Sequence, residues 1–106
     1  MLYVIQSTTR DSVIISDAAP AKALHASIRT ILEWKQQGIV KFVGLTGPFT
    51  PMKTLIIVEA ESHEEVFRLL ASLPGTPYTD NAIYPLISLE NVEQYLAALA
   101  RGAVSV

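Results

Sequence analysis

The hydrophobic positions of this chain fall into short unbroken runs and longer spaced stripes. The unbroken runs read LYVI from residue 2, LIIV from residue 55 and IYPLI from residue 83, and such runs are typical of β-strands that are buried on both faces. A run of similar length, VKFVGL, begins at residue 40. We therefore predict four strands: Leu2–Thr8, Val40–Leu45, Lys53–Ala60 and Ala82–Ile87.

The spaced stripes predict three helices. The first helix is expected to begin after Asp17, with Pro20 in its first turn, and to end before Gly38. For the second helix, Ser62 and Glu65 form a capping box. The third is predicted over Glu90–Arg101. The apolar stripes are Leu24, Ile28, Ile31 and Leu32 in the first helix, with Ile39 at the same spacing just after it; Val66, Phe67, Leu69, Leu70 and Leu73 in the second; and Val92, Tyr95, Leu96 and Leu99 in the third.

The resulting order, β-α-β-β-α-β followed by a helix, predicts an α+β ferredoxin-like βαββαβ sandwich with an extra C-terminal helix, as one domain over residues 1–106. Right-handed crossovers place the first two helices on the same sheet face. Since the strands are apolar on both faces, the other face needs a cover. The same face of a second copy is the simplest cover, so we expect a homodimer or a higher homo-oligomer.

Composition excludes several classes of function. The chain has 106 residues, a net charge of −2 and no cysteine, so neither a nucleic-acid interface nor a thiolate metal site is expected. Its two histidines, His25 and His63, do not have the spacing of metal ligands, and no phosphate-binding glycine motif occurs. No apolar run is long enough to span a membrane, and the start of the chain does not resemble a secretion signal. We expect a cytoplasmic protein without metal or cofactor.

Two charged residues lie on predicted apolar faces. Lys35 falls in line with the stripe of the first helix, where an ammonium can bind a carboxylate or polarise a carbonyl; alternatively, it extends into solvent from the last helical turn. Glu59 lies on the strand face of Leu55 and Ile57, which is typical of a general base or an ion pair. The alternative for Glu59 is a position at the sheet rim, in water.

Three further polar residues are candidates for a site. His25 flanks the first helical stripe and could move protons, although an exposed helix position is the alternative. The segment Pro77-Tyr78-Thr79-Asp80 is predicted as a turn, with Tyr78 packing at a pocket mouth and Asp80 binding backbone amides. No role is evident for the apolar loop segment Val13-Ile14-Ile15.

One third of the chain resembles the muconolactone isomerase family. From Thr54 to Leu86 the sequence follows the family pattern "…VES…LL…LP…PY.D…PL" without a gap, including LLASLPGTPYTDNAIYPL from Leu69. It departs from the pattern in two places. Family members carry an aromatic and basic segment around the second strand, where this chain has VKFVGL, and a carboxylate in the fourth strand, where it has Ala82.

The resemblance implies a dimeric α/β barrel and a cofactor-free isomerase of a small unsaturated lactone or acid in aromatic-compound catabolism. On this hypothesis Glu59 is the base, Lys35 binds the carboxylate or enolate, and Tyr78 donates a hydrogen bond. His25 and Asp80 bind the substrate. Two alternatives stay open: a non-catalytic ligand-binding or assembly module, which the Ala82 departure favours, and a cofactor-free oxygenase on a similar barrel.

Overall fold

The computed structural model describes residues 1–14, 16–46 and 52–102. The described residues form four strands and three helices, and a short 3₁₀ turn, Thr76–Tyr78, precedes the last strand. In chain order the elements are β1 (Leu2–Thr9), α1 (Ala18–Gln36), β2 (Val40–Leu45), β3 (Lys53–Glu59), α2 (His63–Ala71), β4 (Thr79–Pro85) and α3 (Leu89–Ala100).

The strands form one antiparallel sheet in the order β2-β3-β1-β4. This order, with the two crossover helices α1 and α2, is the ferredoxin-like arrangement, and α3 is the extra C-terminal helix. The predicted fold class is therefore confirmed. The fold class can be predicted from the sequence because strands and helices differ in the spacing of their apolar residues: the strands have continuous apolar runs, and the helices have apolar residues three or four positions apart.

The hydrophobic core lies between the sheet and the helices α1 and α2. From the sheet it takes alternate residues of β1 and β3, such as Ile5 and Val58, which are almost fully buried. From the helices it takes Ile31, Val66 and Leu70, with Trp34 packed against the edge of the cluster. We call this side of the sheet the helix face and the opposite side the open face.

Local signals account for most helix ends. The Ser62 hydroxyl accepts a hydrogen bond from the backbone N–H of Glu65 at 3.1 Å, as predicted. The Glu65 carboxylate accepts from the N–H of Glu61, one residue before the cap. Gly38 follows α1 with φ of +83°, the left-handed conformation that glycine adopts without strain. Asp17 is the residue before α1, but its side chain makes no capping bond.

The predicted turn over Pro77-Tyr78-Thr79-Asp80 and the start of the fourth strand both need correction. β4 begins at Thr79, three residues earlier than predicted, and only Tyr78 and the residues before it form the turn. Polar residues there suggested a loop. They instead pair with the equally polar end of β1, where Thr9 lies opposite Thr79 and Ser7 lies opposite Asn81.

Both the open face and α3 expose apolar side chains. Phe42 and Tyr84 on the open face are 49% and 51% exposed, and Tyr95 and Leu96 on α3 are 53% and 56% exposed. Within the described ranges no residue of α3 is buried. The Cα radius of gyration is 17.1 Å, whereas a compact domain of 100 residues has about 13 Å. The single chain is therefore elongated and leaves considerable apolar surface uncovered.

Two segments lie partly outside the described residues. The sequence predicts a turn over residues 46–51, of which the structure describes only Thr46. Of the Val13-Ile14-Ile15 segment the structure describes only Val13 and Ile14, the latter 60% exposed. Over the ranges 1–14, 16–46 and 52–102, no helix combines the length and hydrophobicity needed to cross a membrane.

Candidate functional site

A small cavity lies between the helix face of the sheet and the helices α1 and α2. It is partly open to solvent and has a volume of about 50 Å³, room for roughly three or four water molecules or one end of a small organic compound. Apolar side chains of both helices, including Ile28 of α1 and Leu70 of α2, line one side. Seven neutral polar side chains also line it: Ser7, Thr9, Ser27, Thr54, Thr76, Thr79 and Asn81.

The sheet contributes polar residues to the cavity because the helix face changes character along the strands. Near one end it carries apolar residues such as Tyr3 and Ile5. Two residues further along β1 comes Ser7, which lies opposite Thr54 of β3 and Asn81 of β4. These three side chains form a polar row across the sheet. The row marks the floor of the cavity, since a purely structural core would continue with apolar side chains.

From α1, the cavity receives the buried hydroxyl of Ser27. Its Oγ accepts a hydrogen bond from the backbone N–H of Gly75 at 2.6 Å. A Cβ at position 75 would lie 2.8 Å from that oxygen, so the close approach of the two segments requires glycine. Because the bond uses an oxygen lone pair, the hydroxyl proton of Ser27 stays available as a donor.

A chain of hydrogen bonds connects the other wall to β4. The Thr76 hydroxyl donates to the carbonyl oxygen of Leu70 at 2.6 Å, and the Thr79 hydroxyl donates to the carbonyl oxygen of Thr76 at 3.1 Å. The Asn81 amide then donates to the Thr79 hydroxyl at 2.9 Å. The other end of this amide, Oδ1, is shielded from solvent and has no hydrogen-bond partner among the described residues.

The five residues predicted for the site do not line this cavity. Lys35 lies in the last turn of α1 and is exposed, as the solvent alternative for it anticipated. His25 is also exposed on α1. Glu59 lies at the end of β3 on the open face, half exposed, and its Oε1 accepts a hydrogen bond from the Met1 amino group at 2.9 Å. The structure thus places Lys35 and Glu59 outside the space where they were expected to meet a ligand.

Tyr78 and Asp80 take positions set by backbone pairing. Tyr78 is half-buried, and its carbonyl oxygen accepts a hydrogen bond from the N–H of Arg10 at 3.1 Å. Asp80 was predicted to bind the backbone amides of a turn, and it does not do so. It lies in β4, and its Oδ1 accepts from Nε of Arg10 at 3.0 Å, with both side chains largely exposed. An ion pair with that exposure contributes little to stability.

Sequence reasoning missed the neutral residues that do line the cavity. Ser27 lies one residue before Ile28, inside the stripe used to predict α1, and its neighbours in sequence do not mark it as part of a cavity. Asn81 lies between the predicted turn Pro77-Tyr78-Thr79-Asp80 and the predicted strand Ala82–Ile87, so its position on the inner face of a strand was not recognised. The available signal was the change from apolar to polar residues at the ends of three strands that pair with one another.

A second concavity lies on the open face. It has a volume of about 450 Å³ and is shallower, with Gln6, Phe42, Lys53 and Leu55 among its lining residues. Its apolar side chains belong to the exposed surface described above, so it is part of the face that a second subunit is expected to cover. The helix–sheet cavity is the better candidate for a ligand, since it is more enclosed and several polar groups converge on it.

The fold has relatives of known structure. Muconolactone isomerase aligns with this chain at a TM-score of 0.64 and 20% identity, over 83% of this chain and 90% of that chain. The chain has the muconolactone isomerase fold. The dehydrochlorinase TftG of Burkholderia phenoliruptrix AC1100, solved with 2,5-dihydroxybenzoquinone, shares this fold, with a TM-score of 0.61 and 16% identity over 86% of this chain and 98% of that chain.

Other comparisons add less. SnoaB, a cofactor-independent oxygenase from Streptomyces nogalater, aligns at a TM-score of 0.45 and 14% identity over 83% of this chain and 95% of that chain, too weakly to carry an argument. Neither the models of protein families nor the curated proteins contain a match to the sequence. At these identities the likeness to muconolactone isomerase and TftG establishes the fold and leaves the activity to be argued from the site.

The chemistry available in the cavity is hydrogen bonding without charge. Among the described residues no ionisable side chain lines it, and no group of three or more side chains is placed to hold a metal ion. Hydroxyls such as that of Ser27 can donate to a carbonyl oxygen. The cavity therefore suits an uncharged compound that carries both oxygen atoms and apolar surface.

Proposed function

We propose that this protein is muconolactone isomerase-like in function as well as fold, and that it binds a small unsaturated lactone or a related oxygen-bearing ring compound. The observation that carries the proposal is the helix–sheet cavity, in which seven neutral polar side chains converge among apolar ones. A module used only for assembly would fill this space with side chains, because an unfilled polar cavity costs stability.

The proposed reaction is a cofactor-free shift of a carbon–carbon double bond. A proton leaves a carbon that the carbonyl activates through the conjugated double bond, and the same or another proton is added at the carbon next to the carbonyl, so that the double bond moves. The step needs a base, hydrogen-bond donors for the enolate oxygen and a pocket that excludes water. The hydroxyl of Ser27 supports the donor role. Glu59 lies on the open face of the sheet, away from the helix–sheet cavity. It can act as the base only if a partner chain brings its own Glu59 to the ligand, or if the ligand binds at a different position.

Binding without turnover is a second candidate, and one observation favours it. The described lining residues of the cavity include no carboxylate, histidine or lysine that could act as a base. The fourth strand also has Ala82 at the position where the family pattern has a carboxylate. On this reading the protein keeps the cavity as a binding site for the same class of compound.

We further propose that the protein acts as a homodimer or a higher homo-oligomer. The support is the apolar open face, with Phe42, Leu55 and Tyr84 exposed, and the exposed apolar stripe of α3. Surfaces of this kind mark interaction sites in soluble proteins. We propose a second copy of the chain as the partner, because its open face is equally apolar and can pack against the first.

Calorimetric titration with the uncharged methyl ester of muconolactone, followed by NMR of this lactone in D₂O, tests both candidates. Binding together with deuterium incorporation next to the carbonyl supports the isomerase. Binding without deuterium incorporation beyond the uncatalysed rate supports the binding protein. An absence of binding at millimolar lactone contradicts the proposed function in both forms. A rise in melting temperature with lactone concentration is the expected companion result.

A further inference from the structure

We infer that the hydroxyls of Ser7 and Thr54 together bind the carbonyl oxygen of the ligand and thereby set the orientation of its ring in the cavity. The inference rests on the proposed function, since it concerns the ligand of the same cavity, and it adds the atoms that recognise this ligand. A carbonyl oxygen has two lone pairs, and two hydroxyl donors satisfy both. In the proposed double-bond shift this oxygen gains negative charge, so donors placed at it stabilise the enolate.

Strand pairing brings the two hydroxyls together. β1 and β3 run antiparallel, and Ser7 lies directly opposite Thr54. Both residues line the cavity, on the side of the sheet that carries Ile5 and Ile56 two positions away. The Cβ atoms of directly opposed residues are about 4.5–5.5 Å apart. An oxygen atom that accepts two hydrogen bonds of about 2.8 Å holds its donors about 5 Å from each other. The spacing of Ser7 and Thr54 therefore suits one shared oxygen atom.

The Ser7 and Thr54 hydroxyls are also available to a ligand. Four of the seven polar side chains in the cavity are engaged with other protein groups: Ser27, Thr76, Thr79 and Asn81. Ser7 and Thr54 are half-buried, and neither side chain makes a hydrogen bond to another described residue. Within the described part of the chain, the side-chain polar atom that is both sealed from water and without a partner is Oδ1 of Asn81. The hydroxyls of Ser7 and Thr54 thus keep contact with solvent.

Ser27 is the competing donor, on the opposite wall of the cavity. Its Oγ already accepts the N–H of Gly75 at 2.6 Å, which restricts the direction in which its single proton points. Ser7 and Thr54 offer two protons on hydroxyls that rotate to meet a ligand. Two donors on one wall fix both the position and the direction of a carbonyl group. The ring is then left to pack against apolar side chains of the helices, such as Ile28.

Isotope-edited infrared spectroscopy of the bound lactone tests the inference. The probe is the uncharged methyl ester of muconolactone, labelled with ¹³C at the lactone carbonyl, whose stretching band moves to lower frequency when the oxygen accepts hydrogen bonds. In the parent complex the band should lie below its frequency in an apolar solvent. Ser7→Ala and Thr54→Val should each raise the frequency, because each removes one donor. Thr8→Val makes the same kind of change on the open face of β1 and should leave the band unchanged.

Calorimetric titration with the same ester gives the accompanying change in affinity. Ser7→Ala and Thr54→Val should each raise the dissociation constant by about tenfold, the size of one net hydrogen bond. Thr8→Val should keep the dissociation constant of the parent. A loss of packing alone would weaken binding without moving the carbonyl band, so the two measurements together distinguish hydrogen bonding from a structural effect.

The outcomes separate the inference from the proposed function. If the parent binds the ester but its band lies at the frequency of the apolar solvent, no donor reaches the carbonyl and the inference is wrong while the proposed function stands. The same holds if the band moves in Ser27→Ala but in neither Ser7→Ala nor Thr54→Val, since the donor is then Ser27. If the parent does not bind the ester, the proposed function and the inference fall together.

Discussion

The backbone N–H of Gly75 donates to the buried Oγ of Ser27 at 2.6 Å, and this contact joins α1 to the segment that leads into β4. The two residues are 48 positions apart in sequence. Both line the helix–sheet cavity, so their contact fixes one wall of the candidate site. A glycine and a serine at these positions are explained by the closeness of the approach and by the need to satisfy a buried N–H.

Ser27→Ala should destabilise the protein by about 1–3 kcal/mol, because the N–H of Gly75 would lose its partner in a buried position. Gly75→Ala should also destabilise, since its Cβ would lie 2.8 Å from the Ser27 oxygen. The double variant removes the clashing oxygen, so it should be more stable than the sum of the single effects predicts. Urea denaturation of the three variants measures this coupling. Strict additivity would show that the two residues do not interact as described.

The N-cap of α2 gives a prediction with an internal control. Ser62→Ala should cost about 1 kcal/mol in the free energy of unfolding, because the N–H of Glu65 loses its acceptor and α2 carries the buried residues Val66 and Leu70. Ser88→Ala removes the corresponding cap of α3, whose residues are not buried. It should change the denaturation midpoint much less in dilute protein. Equal losses would indicate that α3 is as integral to the single chain as α2.

The apolar surfaces predict assembly. Sedimentation at micromolar concentration should give a mass of at least twice the 11.6 kDa of one chain. Leu96→Glu, which places a charge in the exposed stripe of α3, should reduce the assembly size if α3 packs on a neighbour. Gln94→Glu adds the same charge to the same helix outside the stripe and should leave the size unchanged. A folded species of 11.6 kDa for the parent would contradict the homo-oligomer proposal.

A substitution of Lys35 distinguishes the candidate site seen in the structure from the site predicted from the sequence. Because Lys35 is exposed in the last turn of α1, Lys35→Met should leave the affinity for a lactone within about twofold of the parent, as is usual for surface changes away from a site. A loss of binding in Lys35→Met would instead show that its ammonium reaches the ligand, as the sequence pattern first suggested.

The sequence predicts the fold well because its signals are local and repeated. The end of α1 before Gly38 and the cap at Ser62 each follow from a few neighbouring residues, and both are found in the structure. The period of apolar positions then fixes the order of the elements. The boundary at β4 was harder, because Thr79–Asn81 have polar side chains and become a strand only by pairing with the polar end of β1.

The candidate site could be predicted only in part, since it depends on contacts between distant segments. Lys35 and Glu59 were predicted as site residues because charged side chains are rare on apolar faces. In the structure both lie at the ends of their elements and are exposed to solvent. Ser27 and Asn81 are neutral and common residue types. Their place in the cavity comes from the Gly75 contact and from the pairing of β4 with β1, neither of which is visible before the helices and strands are assembled.

The measurement that tests the account most directly is a map of lactone binding by methyl NMR. Titration with the uncharged methyl ester of muconolactone should shift the methyl resonances of Leu24, Ile31 and Leu73, which line the cavity, and should leave those of Leu55 and Ile57 on the open face unchanged. That result would locate the ligand between the helices and the sheet. Shifts confined to Leu55 and Ile57 would place the ligand on the open face and contradict the site proposed for this protein.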